Sequence, residues 1–391
     1  MQRYIDERKY PGSSILIYLN GKEVFYHEAG YRDIARELKF QRDTVVRLYS
    51  MTKPVTSVAL MMLVEKGLCH LDAPVSEFLP AFSDMRYLVE KASSLEQTES
   101  CASPTLHHLL THTSGLTYGF NDGLVPNLML EKNLNFSPEN RDLAEVCDIV
   151  ALLPLCFKPG NKWEYSVSID ILGRVVEILS GQSLADFFYE EIFLPLNMLG
   201  TGFRFKEPYK GRVAALYKPS IDNIQHKNPV SSLSSNLLMV DEELGSPFWD
   251  TNMYSGGGGL VGTINDYMRF VEFLRTGETT FEERLLSPKT LDFMMRNHLK
   301  GDIASMGPKS FMEQPMEGMG FAIGGATVLD PALARTPGNI GDFSWGGMAS
   351  TFFWIDRKSN LSVVFFTQLL PSSSFPSRSQ LKAIIHGSLI E

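Results

Sequence analysis

The stretch that most constrains the fold is Leu48-Tyr49-Ser50-Met51-Thr52-Lys53-Pro54, with the apolar run that follows it to Gly67. Proline has no amide hydrogen and is tolerated in the first turn of a helix, so Pro54 fixes a helix start between Ser50 and Thr52. Gly67 supplies the stop. Between them Val58 to Val64 are apolar on every face, the pattern of a helix enclosed by other layers. Ser50 and Lys53, three residues apart at the helix start, share a face, so the amine reaches the hydroxyl. Unpaired amides and the positive end of the helix dipole converge at the same point and favour an anion there. Ser50 is therefore the candidate nucleophile.

Alone, Ser-x-x-Lys is a weak signal, because a serine capping a helix beside a solvated lysine is equally ordinary. The pattern also occurs twice. Ser379-Gln380-Leu381-Lys382 lies in a polar stretch rich in serine and proline and reads as surface. His108 and His112 have the i, i+4 spacing of a metal pair, but the glutamate of the zinc-protease motif is missing. A helix end capped through Thr113, Ser114 and Gly115 is the better reading, and neither metal nor cofactor is assigned. Ser255-Gly256-Gly257-Gly258-Gly259 lacks the Gly-Lys-Ser/Thr of a phosphate loop and reads as a turn where backbones pass closely.

The 391 residues carry a net charge of -9 with scattered lysines and arginines, which argues against a nucleic-acid partner. Met1 to Lys9 is charged throughout and has no signal-peptide core, and no apolar run approaches the ~20 residues that span a bilayer. Cys69, Cys101, Cys147 and Cys156 are irregularly spaced and read as buried thiols of a reducing compartment. A soluble cytoplasmic protein with no membrane partner is expected.

Along the chain, Ser14–Leu19 and Val24–His27 flank Asn20-Gly21, a hairpin signal. Glu90 to Ser103 reads as an exposed loop. Residues 116–140 form an aromatic loop in which Tyr118 is placed to border a pocket. Tyr165 stands just ahead of a helix over Ile169–Ser180, and Thr263 caps a helix over Ile264–Arg275. From Gly318 the texture changes to strands, with Ser350–Ile355 and Leu361–Thr367 joined by a turn, and a last helix runs over Ser379–Leu389. Strands at both ends with helices between predict an α/β (α+β) fold. In it both chain ends form one antiparallel sheet flanked by helices. Residues 1–70 and 255–391 make the sheet domain, residues 71–254 a mainly helical insert, and the active site lies in the cleft between them.

Taken in order, Ser50-x-x-Lys53, Tyr165-Ser166-Val167 and Trp345-Gly346-Gly347 ahead of a β-hairpin resemble the serine β-lactamase and penicillin-binding protein superfamily. Within it the chain is most similar to class C β-lactamases and, nearer still, to family VIII carboxylesterases. The resemblance covers nearly the whole chain, including Leu109–Gly115 and Ser255–Thr263. It implies that Ser50 is acylated, that Lys53 and Tyr165 handle its proton, and that Trp345, Gly346 and Gly347 edge the pocket. It also implies an oxyanion hole built from the backbone amides of Ser50 and Met348.

Chemistry asks for the same set, since a serine hydroxyl is a poor nucleophile until a base takes its proton. Lys53 serves only if burial lowers its pKa from ~10.4 toward ~7–8, worth about 4 kcal/mol. Tyr165, if ionised, is the alternative base. The departures bear on substrate. Val167 stands where lactamases of this type carry the asparagine that holds a lactam side chain. Trp345 stands where they carry the lysine that pairs with the lactam carboxylate. Losing one charge-assisted contact costs ~1.5–3 kcal/mol, more than tenfold in binding. The expectation is a serine carboxylesterase acting on small-molecule esters of small to medium acyl groups, with weak or no lactam hydrolysis. An acyltransferase on the same scaffold, a β-lactamase or D,D-peptidase, and a silent binding member are the alternatives.

Overall fold

The computed structural model describes residues 1–220, 237–279, 284–311 and 314–389. Both chain ends meet in one eight-stranded sheet. Its order is Met319–Ala322, Gly325–Val328, Phe343–Gly346, Phe352–Asp356, Leu361–Thr367, Gly12–Leu19, Lys22–Asp33 and Leu38–Lys39. Every pairing is antiparallel. The first strand of the chain lies against the last, with Leu16 opposite Val364, so the sheet closes only when both ends have been made. The Asn20-Gly21 turn has φ of 53° and 74°, the left-handed pair that a two-residue hairpin needs.

Strand periodicity gives the sheet two apolar faces. Phe353, Ile355, Val364 and Phe366 pack into the main core, and Phe352, Trp354, Val363 and Phe365 pack beneath the C-terminal helix Ser377–His386 and the N-terminal segment. Helix Ile264–Thr276 covers the inner face through Tyr267, whose ring meets Phe353 at 5.5 Å. Thr263 caps that helix by accepting from the Asp266 amide. The predicted central helix runs from Thr52 to Glu65, and all its residues from Thr52 to Leu63 are buried. The Tyr267 hydroxyl donates to the Met51 carbonyl at 2.8 Å, which ties the helix start to the sheet layer. On its other side the central helix packs against helix Ser168–Ser180.

Three expectations need correction. Glu90–Ser103 is not all loop, because Thr98–Ser100 pairs with Arg86–Leu88. These short polar strands have no apolar alternation to reveal them. The region between the two sheet segments holds a second hairpin, Leu216–Pro219 with Leu237–Asp241. Lys382, read as surface, is 6% exposed and lies 3.7 Å from the Asp342 carboxylate. The ion pair and the Trp354 ring, 5.8 Å away, accommodate a charge that the polar sequence around it had suggested was solvated.

Candidate active site

Ser50 sits in a tight turn, Tyr49–Met51, immediately ahead of the central helix. The residue before it, Tyr49, has φ of 48°, a left-handed conformation that is costly for an aromatic residue. Such strain persists where surrounding structure holds it, and here it presents the Ser50 side chain from the helix start. Ser50 is 9% exposed.

Lys53 is 1% exposed and donates three hydrogen bonds, to the Gly257 carbonyl at 2.7 Å, the Tyr118 hydroxyl at 2.9 Å and Ser50 Oγ at 3.4 Å. Burial pulls its pKa down to about 7, against the opposing pull of Asp170. A lysine so placed loses its proton near neutral pH, and the neutral amine then accepts from the Ser50 hydroxyl instead of donating to it.

Tyr165 follows the turn at Lys158–Asn161 and precedes helix Ser168–Ser180. Its hydroxyl lies beside Ser50 and the Trp345 indole, both of which favour the phenolate, without a formed hydrogen bond to either. Burial outweighs them and raises its pKa. Loose contacts of this kind are usual before substrate binds. Lys53 Nζ lies 4.5 Å from the Tyr165 ring centroid, so the two act as one coupled unit.

Tyr118, expected to border a pocket, is buried and accepts from Lys53, so it belongs to the proton network. Trp345 is 9% exposed at the end of strand Phe343–Gly346, with its ring against Tyr165, Phe311 and Phe321. The two glycines after it are needed by the protein itself. A Cβ on Gly346 would meet the Arg378 guanidinium at 2.6 Å, and one on Gly347 would meet the Leu48 carbonyl at 2.3 Å. Gly347 thus brings the strand against the turn that carries Ser50, with Met348 following it, 39% exposed. Val167 is fully buried at the N-cap of helix Ser168–Ser180, where its amide donates to the Thr117 carbonyl.

Three further residues belong to the site. Asp170, 1% exposed, accepts from Ser255 Oγ at 2.5 Å and from the Gly257 amide at 2.9 Å. It thereby holds by its amide the same residue whose carbonyl receives Lys53. Burial raises its pKa, opposed by Lys53. A Cβ on Gly257 would strike the Asp170 carboxylate at 2.3 Å, which is why the glycine run is there. His112 brackets Tyr165: its carbonyl accepts from the Glu164 amide at 2.9 Å and its Nδ1 from the Ser166 amide at 3.3 Å. Its ring lies 4.9 Å from that of Tyr165. Burial, then the nearby Lys53, pushes its pKa well down, so it is a neutral ring with the proton on Nε2. The only sequence signal for these roles was the position of His112 and of Ser255–Gly259 within the motif-bearing segments.

Comparison with known proteins adds the following. The Beta-lactamase family model matches residues 1–386. Esterase EstB of Burkholderia gladioli is 31% identical over 372 residues, which is 92% of this chain and 86% of that protein. Acyltransferase calJ of Penicillium decumbens is 28% identical, over 93% of this chain and 85% of its own length. Among solved structures, that of EstCE1, described as a hydrolase with promiscuous acyltransferase activity, superposes with a TM-score of 0.79 at 27% identity. It covers 99% of this chain and 96% of EstCE1.

Proposed function

The chain belongs to the Beta-lactamase family, and from that premise we propose that it is a serine carboxylesterase working through an acyl-Ser50 intermediate. Neutral Lys53 takes the Ser50 proton as Oγ attacks the ester carbonyl, and the oxyanion rests on the backbone amides of Ser50 and Met348. Tyr165 delivers a proton to the departing alcohol. Water then attacks the acyl-enzyme with the same groups in reverse roles. Gly346 and Gly347 let the strand edge run beside the substrate, with Trp345 as an apolar wall. The reaction takes place in the cleft between the sheet unit, residues 1–70 and 255–391, and the insert of residues 71–254, in a protein of the cytoplasm.

The observation that carries this reading is the buried Lys53 amine within 3.4 Å of Ser50 Oγ, with a pKa drawn down to about 7. A base near neutrality beside a serine is what acylation requires. The side of the cleft that would hold a lactam carboxylate is an indole among aromatic rings, which favours neutral apolar acyl esters. Transfer to an alcohol in place of water is the second reading. It is favoured by the acyltransferase names among the similar proteins and by the aromatic wall of Trp163, Tyr165, Phe311 and Trp345, which limits water near the acyl group.

The test is hydrolysis of p-nitrophenyl butyrate by wild type and Ser50→Ala, with a chromogenic cephalosporin in parallel and a primary alcohol added as acceptor. Ester turnover lost in the variant, with little lactam cleavage, supports the esterase. Butyrate appearing mainly as the new ester supports transfer. Strong lactam turnover refutes the reading of Val167 and Trp345.

A further inference from the structure

Two clefts open beside the site, one lined by Trp345 and the other by Tyr165, and one further residue lines both. The first, about 760 Å³ with its open mouth included, runs past Met316, Ser344, Trp345 and Gly346 to Arg378. The second, about 1220 Å³ counted the same way, runs past Asn121, Asn161, Trp163, Glu164 and Tyr165 to Ser305. Phe311 is in the wall of each, and Ser50 lines neither. Phe311 lies on the short hairpin in which Ser310–Phe311 pairs with Gln314–Pro315. Its ring stacks on Trp345 at 6.0 Å with an interplanar angle of 15° and meets Tyr165 at 5.0 Å. At these centroid separations aromatic rings are in van der Waals contact, with no space for a methyl group between them.

We propose that Phe311 is the specificity-determining residue of the site, a partition that sends the two arms of an ester into separate clefts and selects esters unbranched beside the carboxyl group. This rests on the esterase reading above. An ester carbonyl has to reach Ser50, whose residue is 9% exposed, and its acyl and alkoxy arms diverge from that carbon at the trigonal angle. Tyr165 opens onto one cleft and Trp345 onto the other, so each arm has its own space and Phe311 stands at the fork. A substituent on the atom next to the ester group meets the Phe311 ring. Bulk carried further along either arm lies where the clefts have parted. The substrate class is therefore esters of unbranched acyl chains with primary alcohols, tolerant of large groups remote from the ester. Discrimination by such a wall is steric and of moderate size, as for other apolar pockets.

The experiment measures Ser50 labelling by the p-nitrophenyl esters of an n-butylphosphonate and a tert-butylphosphonate, read by intact mass. Hydrolysis of p-nitrophenyl butyrate and trimethylacetate is followed alongside, in wild type, Phe311→Ala and Phe311→Leu. Labelling needs only an activated Ser50 and no turnover. The expected result is that the branched-to-linear labelling ratio rises by about tenfold or more in Phe311→Ala and less in Phe311→Leu. KM for the linear ester increases as its apolar contact is lost. A ratio within about threefold of wild type in a folded Phe311→Ala overturns the partition and leaves the esterase reading standing. Should Phe311→Ala not fold, the same comparison on Phe311→Leu decides. Wild type that reacts with neither phosphonate at Ser50 overturns the esterase reading, and the partition with it.

Discussion

Replacing Lys53 by methionine should abolish activity and make the protein more stable at neutral pH. The stem of lysine is kept and the amine removed. In the fold the amine titrates at about 7, against an ordinary value of 10.5. Between those values the unfolded chain binds a proton that the folded chain does not, so stability rises with pH across that window and is lowest below pH 7. The gap corresponds to a penalty of about 5 kcal/mol below pH 6, about 4 at pH 7 and about 2 at pH 9. Methionine removes it. The variant also loses the three Lys53 hydrogen bonds and leaves the Gly257 carbonyl without its donor, together about 2–3 kcal/mol. Urea unfolding should therefore find Lys53→Met more stable than wild type by about 1–2 kcal/mol at pH 7, with that advantage falling by about 2 kcal/mol at pH 9. Lys53 also moves the pKa values of His112 and Asp170, so the pH dependence of the difference reports Lys53 together with these two neighbours. A difference that does not change between pH 7 and pH 9 would falsify the claim that burial holds this amine neutral.

In the proposed mechanism the same amine is the base, so kcat/KM for butyrate should rise with pH through about 7 as Lys53 loses its proton. Lys53→Arg, which cannot deprotonate, should be inactive at every pH; activity that appears only above the ordinary tyrosine range would instead point to Tyr165 as the base. His112→Phe keeps the ring against Tyr165 and loses the Nδ1 acceptor for the Ser166 amide, so kcat should fall about 10- to 100-fold with KM little changed, as for a lost positioning contact. His112→Asn, which offers an acceptor again, should recover part of the loss. Because His112 is neutral throughout, neither variant should move the pH profile, and a displaced limb would mean that the imidazole itself carries a proton in the reaction.

How far the site could be read from sequence follows the range over which its contacts are made. Ser50 and Lys53 are on one helix turn, so their meeting is a matter of helix geometry, and Pro54 marks where that turn begins. Tyr165 and Trp345 came from motif order. The partners that give these residues their chemistry are remote: Lys53 donates to the Gly257 carbonyl 204 residues away, and Asp170 holds the amide of that glycine across 87. A glycine run has no side chain to announce that its carbonyl is an acceptor, so Ser255–Gly259 read only as a close turn. His112 looked like half of a metal pair because i, i+4 spacing assumes a continuous helix. The helix ends at Leu110 and His112 has φ of 53°, which turns it away from His108 and onto the segment that carries Tyr165. Lys382 was misread for the opposite reason, since its counter-charge comes from Asp342 on a different element.

One physical cause connects the proton chemistry to the substrate. Trp163, Tyr165 and Phe321 surround His112, Trp345 packs against Tyr165 and Phe321, and together they close the site on one side, with Tyr118 beside Lys53. Removing water from a cation lowers its pKa and removing water from a phenol raises it, so a single dry wall drives Lys53 down and Tyr165 up. Between pH 7 and pH 9 the pair then carries one proton, and it rests on the tyrosine. Lysine is left as the base and tyrosine as the acid, with no further group required to divide the roles. The indole that completes the wall stands where a lysine would pair with a lactam carboxylate, and a charge restored at Trp345 would sit against Tyr165 and Phe321 with no water around it. It would repel the protonated form of Lys53, pushing that pKa further down, and stabilise the tyrosinate, drawing the Tyr165 pKa down with it. Poor use of acidic lactams and a tyrosine that keeps its proton are thus two results of the same packing, and a variant that gains the first substrate class should ionise Tyr165 more readily.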